Sequence, residues 1–130
     1  MKKFLFVFVF MAAVAMTAWG QGTRLLRQPS LSETHIAFTY GGDIWVHALD
    51  GETRPLRITS TPSVDSDPHF SPDGQWIAFS SNRSGNTAVY VVPAEGGEPH
   101  RLTWYPSGAY ARGWTPDGSR VLFATSRQGP

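Results

Sequence analysis

Two stretches of the sequence, Phe70-Ser71-Pro72-Asp73-Gly74 and Trp114-Thr115-Pro116-Asp117-Gly118, stand in the same relation to the apolar runs that follow them. Setting Phe79 on Phe123 superposes both turns at an offset of 44 residues. Phe38 lies 41 residues before Phe79, and Ile58-Thr59 lies 44 residues before Leu102-Thr103. A chain that repeats itself at this interval repeats one structural unit. Four strands every ~40–45 residues is the period of a β-propeller blade. A plain β-sandwich would place strands every ~8–12 residues without the longer self-similarity.

The strands themselves are legible as short runs of Val, Ile, Thr and aromatic residues between turn formers. One set comprises an extended stretch at Arg24–Pro29, then His35–Tyr40, Asp43–Leu49 and Arg54–Thr59; the next comprises Asp65–Ser71, Trp76–Ser81, Ala88–Ala94 and His100–Trp104. Ser71-Pro72-Asp73-Gly74 fits a type I turn: Pro72 fixes φ at the second position, and Gly74 takes the left-handed conformation after it. Beyond the turn, Ile77 and Phe79 fall on one face and Trp76 and Ala78 on the other. Apolar residues on both faces suit a blade packed between two neighbours. In the first repeat Ser30-Leu31-Ser32-Glu33 stands where Ser-Pro-Asp-Gly would. The expected fold is therefore all-β, a partial β-propeller after a signal peptide. Its blades cover about 23–62 and 63–106, with half of a third at 107–130. Closed propellers have ~4–8 blades, so these residues are expected to open a longer protein.

Residues 1–20 read as a separate segment. Met1-Lys2-Lys3 is basic, "FLFVFVFMAAVAM" is an unbroken apolar run, and Ala18-Trp19-Gly20 supplies small residues at a cleavage junction. This is the layout of a secretory signal, shorter than the ~20 apolar residues of a spanning helix. It predicts a mature chain beginning at Gln21, a periplasmic or secreted location, and membrane contact through the signal alone. Without Lys2 and Lys3 the formal charge changes from +1 to −1, and every remaining basic side chain is an arginine. These arginines are scattered, so nucleic acid is not an expected partner. There is no cysteine, which excludes disulfides and thiolate metal sites.

The search for chemistry yields few candidates. Asp65, Asp67 and His69 alternate on a predicted strand and so project to one face, as metal ligands do. No further ligand cluster accompanies them, and they read better as residues that cap turns and bond to the adjacent blade near the propeller axis. His35, His47 and His100 are isolated. No G-x-S-x-G elbow is present, and Gly41-Gly42 and Gly96-Gly97 read as turns between strands rather than phosphate loops. Asn82-Arg83-Ser84 matches the glycosylation triplet, a short and unspecific signal. No catalytic, cofactor-binding or metal residue is assigned, and no cofactor is expected.

The stretch "FSPDGQWIAFSSNRSGNTAVYVVPAEGGEPHRLTW" resembles the repeat shared by TolB-type propellers, dipeptidyl-peptidase-like propellers and tricorn-type proteases. Within it, "SNRSGNTAVY" resembles the Asp-box of sialidase propellers, except that Arg83 stands at the place of the Asp. Thr23–Thr59 is similar to the first blade of tricorn-like peptidases, and Ala111–Arg127 to their third-blade entry. The resemblance implies a large exported serine peptidase whose N-terminal propeller gates or binds peptides. The Ser, His and Glu of its catalytic core would lie beyond these residues. A non-enzymatic periplasmic TolB-like propeller that binds protein partners is the other reading. A downstream reading frame carrying a PDZ-like stretch and a Ser/His core would favour the peptidase.

Overall fold

The computed structural model describes residues 27–126. They form ten strands: β1 (Arg27–Leu31), β2 (His35–Tyr40), β3 (Asp43–Ala48), β4 (Leu56–Arg57), β5 (Asp65–Phe70), β6 (Trp76–Ser81), β7 (Ala88–Pro93), β8 (His100–Arg101), β9 (Ala109–Trp114) and β10 (Val121–Thr125). Each group is an antiparallel meander. The sheet orders are β1-β2-β3-β4 and β5-β6-β7-β8, followed by the pair β9-β10. Two four-stranded blades and half of a third are the expected architecture. The expected signal segment lies outside the described residues.

The second and third hairpin turns are built alike, which explains why their sequences repeat. Gly74 N–H donates to the Ser71 carbonyl at 2.8 Å, and Gly118 N–H to that of Thr115 at 2.8 Å. Both glycines sit at φ 72°, a region that opposes any Cβ. The Ser71 hydroxyl accepts from Trp76 N–H at 3.0 Å, and the Thr115 hydroxyl from Arg120 N–H at 3.1 Å. In the first repeat the equivalence expected from sequence is corrected. Leu31 pairs with Ile36 as Phe70 pairs with Ile77, so Ser32, not Ser30, occupies the place of Ser71. Ser32 N–H donates to the His35 carbonyl at 2.8 Å, and its hydroxyl accepts from His35 N–H at 3.0 Å. The first turn is shorter, and it keeps the serine.

The outer strands are shorter than their composition predicts. β4 makes only the pairs Trp45↔Arg57 and Val46↔Leu56. Beyond it, buried Thr59 places its hydroxyl on Ile44 N–H at 2.9 Å, taking the role of a ladder carbonyl. Thr103 does the same for Val89 at 2.9 Å. The repeated Ile-Thr/Leu-Thr pair thus ends the outer strand with a side chain.

The core lies between blades. Ala37, Ile44 and Val46 of the first sheet, with Ile58 just beyond β4, pack against Phe70, Ile77, Phe79, Ala88, Tyr90 and Val92 of the second. Phe79 and Tyr90 stack at 5.9 Å with an interplanar angle of 27°. A fully buried phenylalanine such as Phe79 contributes about 1.5–3 kcal/mol relative to exposure. A second cluster joins Val89 to Ala109 and Ala111, with Tyr105 and Val121 beside it. Ala78 is buried on the opposite face from Phe79 as expected, whereas Trp76 stays 38% exposed.

Antiparallel meanders put successive connections at opposite ends of the sheets, and here charge follows that division. One end carries the hairpin turns and the loops after β3 and β7. It holds Glu33, then Asp50 and Glu52, then Asp73, then Glu95 and Glu98, and finally Asp117. All seven carboxylates are exposed, and the same loops contain two basic residues, Arg54 and Arg120, for a net charge of −5. The remaining acids, Asp43, Asp65 and Asp67, each face an arginine: Arg57, Arg83 and Arg112.

Candidate functional site at the inner strands

The first strands of the three units lie side by side, β1 next to β5 and β5 next to β9. In a propeller this is the position that borders the central axis. Each first strand carries one residue more than its partner. Between Arg27↔Thr39 and Ser30↔Ala37, Gln28 and Pro29 oppose Phe38 alone; between Ser66↔Ser80 and His69↔Ala78, Asp67 and Pro68 oppose Phe79 alone. In the third unit Arg112 is the extra residue, between Ala111↔Phe123 and Gly113↔Leu122. These are β-bulges, which turn a side chain away from its strict alternation. Gln28 and Asp67 sit at φ 54° and 52°, an uncommon region for residues with a Cβ.

The bulge overturns the expectation that Asp65, Asp67 and His69 share a face. Asp65 is fully buried; it accepts from Arg83 Nη2 at 3.0 Å and from the Ser63 hydroxyl at 3.1 Å. Asp67 turns to the neighbouring blade. Its Oδ1 accepts from Gln28 Nε2 at 2.6 Å while its own N–H donates to Gln28 Oε1 at 2.9 Å. Its Oδ2 accepts from the Ser80 hydroxyl at 3.0 Å and lies 3.8 Å from Arg112 Nη1. The Ser80 hydroxyl in turn accepts from Ala111 N–H at 2.9 Å. A continuous polar clasp, Gln28–Asp67–Ser80–Ala111, therefore joins all three units. His69 is partly buried, which lowers its pKa from the ordinary value; Asp67 and the Ala111 backbone oppose the shift, and Arg112 adds to it. The row Gln28, Asp67, Arg112 presents an amide, a carboxylate and a guanidinium along the inner strands, with Arg112 53% exposed. Such groups suit hydrogen bonding to an extended peptide backbone.

Arg83 is the residue whose role the sequence conceals. Its guanidinium lies over the Tyr90 and Phe79 rings at 4.9 and 5.3 Å, pairs with Asp65, and donates from Nε to the Ser81 hydroxyl at 2.9 Å. The only available signal was an arginine standing where an Asp-box has its acid. Asn82 is exposed, and its carbonyl oxygen accepts from Val64 N–H at 2.8 Å. His35 bonds to Thr34 Oγ1 at 2.7 Å and lies apart from this row.

Residues 23–130 match the family described as the tricorn protease N-terminal beta propeller domain. The chain is similar to tricorn protease homolog 1 of Streptomyces coelicolor, 38% identical over 104 residues that cover 79% of this chain and 10% of that protein. Among solved structures, it resembles TolB from Acinetobacter baumannii with a TM-score of 0.68 and 26% identity, covering 80% of this chain and 27% of that one. It resembles the tricorn protease with a TM-score of 0.67 and 27% identity, covering 78% of this chain and 11% of that one. This chain therefore spans a small part of the length of each relative. Its blade period, inner-strand order and family match agree: the chain belongs to the tricorn protease N-terminal β-propeller family.

Proposed function

We propose that these residues are the opening blades of the N-terminal propeller of an exported tricorn-like serine peptidase. In this reading the inner strands form part of the wall that admits or holds peptides, and hydrolysis is performed by a core elsewhere in the polypeptide. The observation that carries it is the family match across residues 23–130. The Gln28–Asp67–Arg112 row supports it by supplying donors and acceptors where a peptide would pass. Incubating the full-length protein with a mixed peptide library tests the activity. The expected result is cleavage that a serine-reactive phosphonate abolishes; cleavage that persists after the phosphonate, or no cleavage, contradicts the serine-peptidase reading. Export predicts a mature terminus at Gln21, which mass spectrometry of the exported protein reads directly. An intact Phe4–Met16 segment would instead indicate an anchor.

The likeness to TolB favours a second reading, a propeller that binds protein partners without hydrolysing them. A full-length protein that lacks peptidase activity and co-purifies with a stoichiometric protein partner would support it.

A further inference from the structure

At the end of the sheets opposite the seven acids lie the β2–β3 turn, the β6–β7 loop and the connections into β5 and β9. Among the described residues these loops carry one charged side chain, Arg83, and its partner is Asp65. Two hollows of about 420 and 290 Å³ adjoin there and share Asn82 as a wall. Ser63, before β5, lines the first with Arg83; Asn86, Thr87 and Tyr110 line the second. Together they form an open groove across the β6–β7 loop.

The hydrogen-bonding capacity of the groove selects the occupant. Asn82 Oδ1 accepts from Val64 N–H at 2.8 Å, and Asn86 Nδ2 donates to the Pro106 carbonyl at 2.8 Å. Each bond fixes one amide and leaves its other half open: the Asn82 Nδ2 donor and the Asn86 Oδ1 acceptor. The hydroxyls of Thr87 and Tyr110 make no hydrogen bond among the described residues, and each can donate and accept. The fitting ligand therefore presents both donors and acceptors and carries no charge. An ionic ligand would find no free opposite charge here. An extended peptide would need a strand edge along its backbone and pockets for alternate side chains, whereas these groups converge from separate loops. Sugar hydroxyls both donate and accept at closely spaced positions.

We propose that this groove binds an uncharged oligosaccharide, held by the Asn82 and Asn86 amides together with the Thr87 hydroxyl. The site is separate from the inner-strand row and does not depend on peptidase activity in the complete protein.

Saturation-transfer difference NMR on the full-length protein tests this with chitotriose, maltotriose and cellotriose. Acetyl-(Gly-Ser)3-amide serves as an uncharged peptide for comparison. At least one of the three sugars is expected to receive saturation, with an affinity that salt leaves unchanged. Thr87→Val removes a hydroxyl that has no intramolecular partner among the described residues, so the melting temperature should not move. The same variant should weaken that sugar about threefold or more. Asn86→Ala should weaken it at least as much; if that variant fails to fold, Thr87→Val still decides. Glu95→Gln, at the acidic end, should change nothing. No transfer to any of the three sugars would overturn the proposal. So would binding that both Thr87→Val and Asn86→Ala leave unchanged, which would place the sugar elsewhere, or displacement of the sugar by an equal concentration of the peptide. A full-length protein that binds the sugar and cleaves no peptide would retain this site and contradict the peptidase reading alone.

Discussion

Gly74 and Gly85 both adopt positive φ, at 72° and 103°, yet their surroundings differ. A Cβ on Gly74 would stand 3.2 Å from the Ser32 side chain of the adjacent blade, whereas one on Gly85 meets nothing within 4 Å. Gly74→Val therefore adds a contact between blades to backbone strain of about 1–3 kcal/mol. It is expected to lower the melting temperature of the full-length protein more than Gly85→Ala; equal shifts would remove the assigned turn role. The turn acids respond to pH. Hydrogen bonds from the Thr115 hydroxyl, then Ser119 N–H and hydroxyl, lower the Asp117 pKa to about 2. A depressed carboxylate pKa stabilises the fold above the ordinary value of 3.8 and loses that contribution as pH falls toward 2. The gap in melting temperature between wild type and Asp117→Asn should narrow through that window, and a gap constant with pH would contradict it. His69 works in a higher window: its lowered pKa favours the neutral imidazole, so its contribution is complete above 6.5 and declines as pH falls through the folded-state value.

At the scale of elements, the hairpins were legible and the irregularities were not. β2 and β6 fall on the expected residues because Ile36-Ala37-Phe38 and Ile77-Ala78-Phe79 are flanked by recognisable turns. β4 and β8 were overextended because Thr59 and Thr103 have high strand propensity yet act through their hydroxyls. The bulges were hidden because one extra residue leaves Asp65, Asp67 and His69 looking like simple alternation; only pairing with the next strand exposes it. That hidden shift is why the three residues were placed on one face, whereas the expected bonding to the adjacent blade is made by Asp67. The Arg83–Asp65 pair also becomes visible only when the β6–β7 loop folds back over Phe79 and Tyr90. Asp65 is fully buried and Arg83 only 16% exposed, so Arg83→Ala strands a buried carboxylate. It should cost about 3–5 kcal/mol in denaturant unfolding. Arg57→Ala should cost less, since Arg57 is 48% exposed where it meets Asp43. The reverse ranking would contradict the role given to Arg83.

For the whole molecule, each blade buries its apolar face only against another. The interface between the first two blades is complete, with Ile44, Ile77 and Phe79 at 0% exposure. The flanks are not: Leu31 is 66% exposed and Leu122 49%. Phe38, whose counterpart Phe79 packs on the preceding blade, is nevertheless 8% exposed, so the first sheet shields part of its own outer face. A surface of this kind, bordered by open strand edges, is a template for association. The blades of residues 27–126 thus require neighbours. Sedimentation velocity of residues 21–130 alone measures that need. The segment should associate with rising concentration into mixed oligomers; a single monomeric boundary that stays unchanged over a hundredfold range of concentration would show that it needs no neighbours.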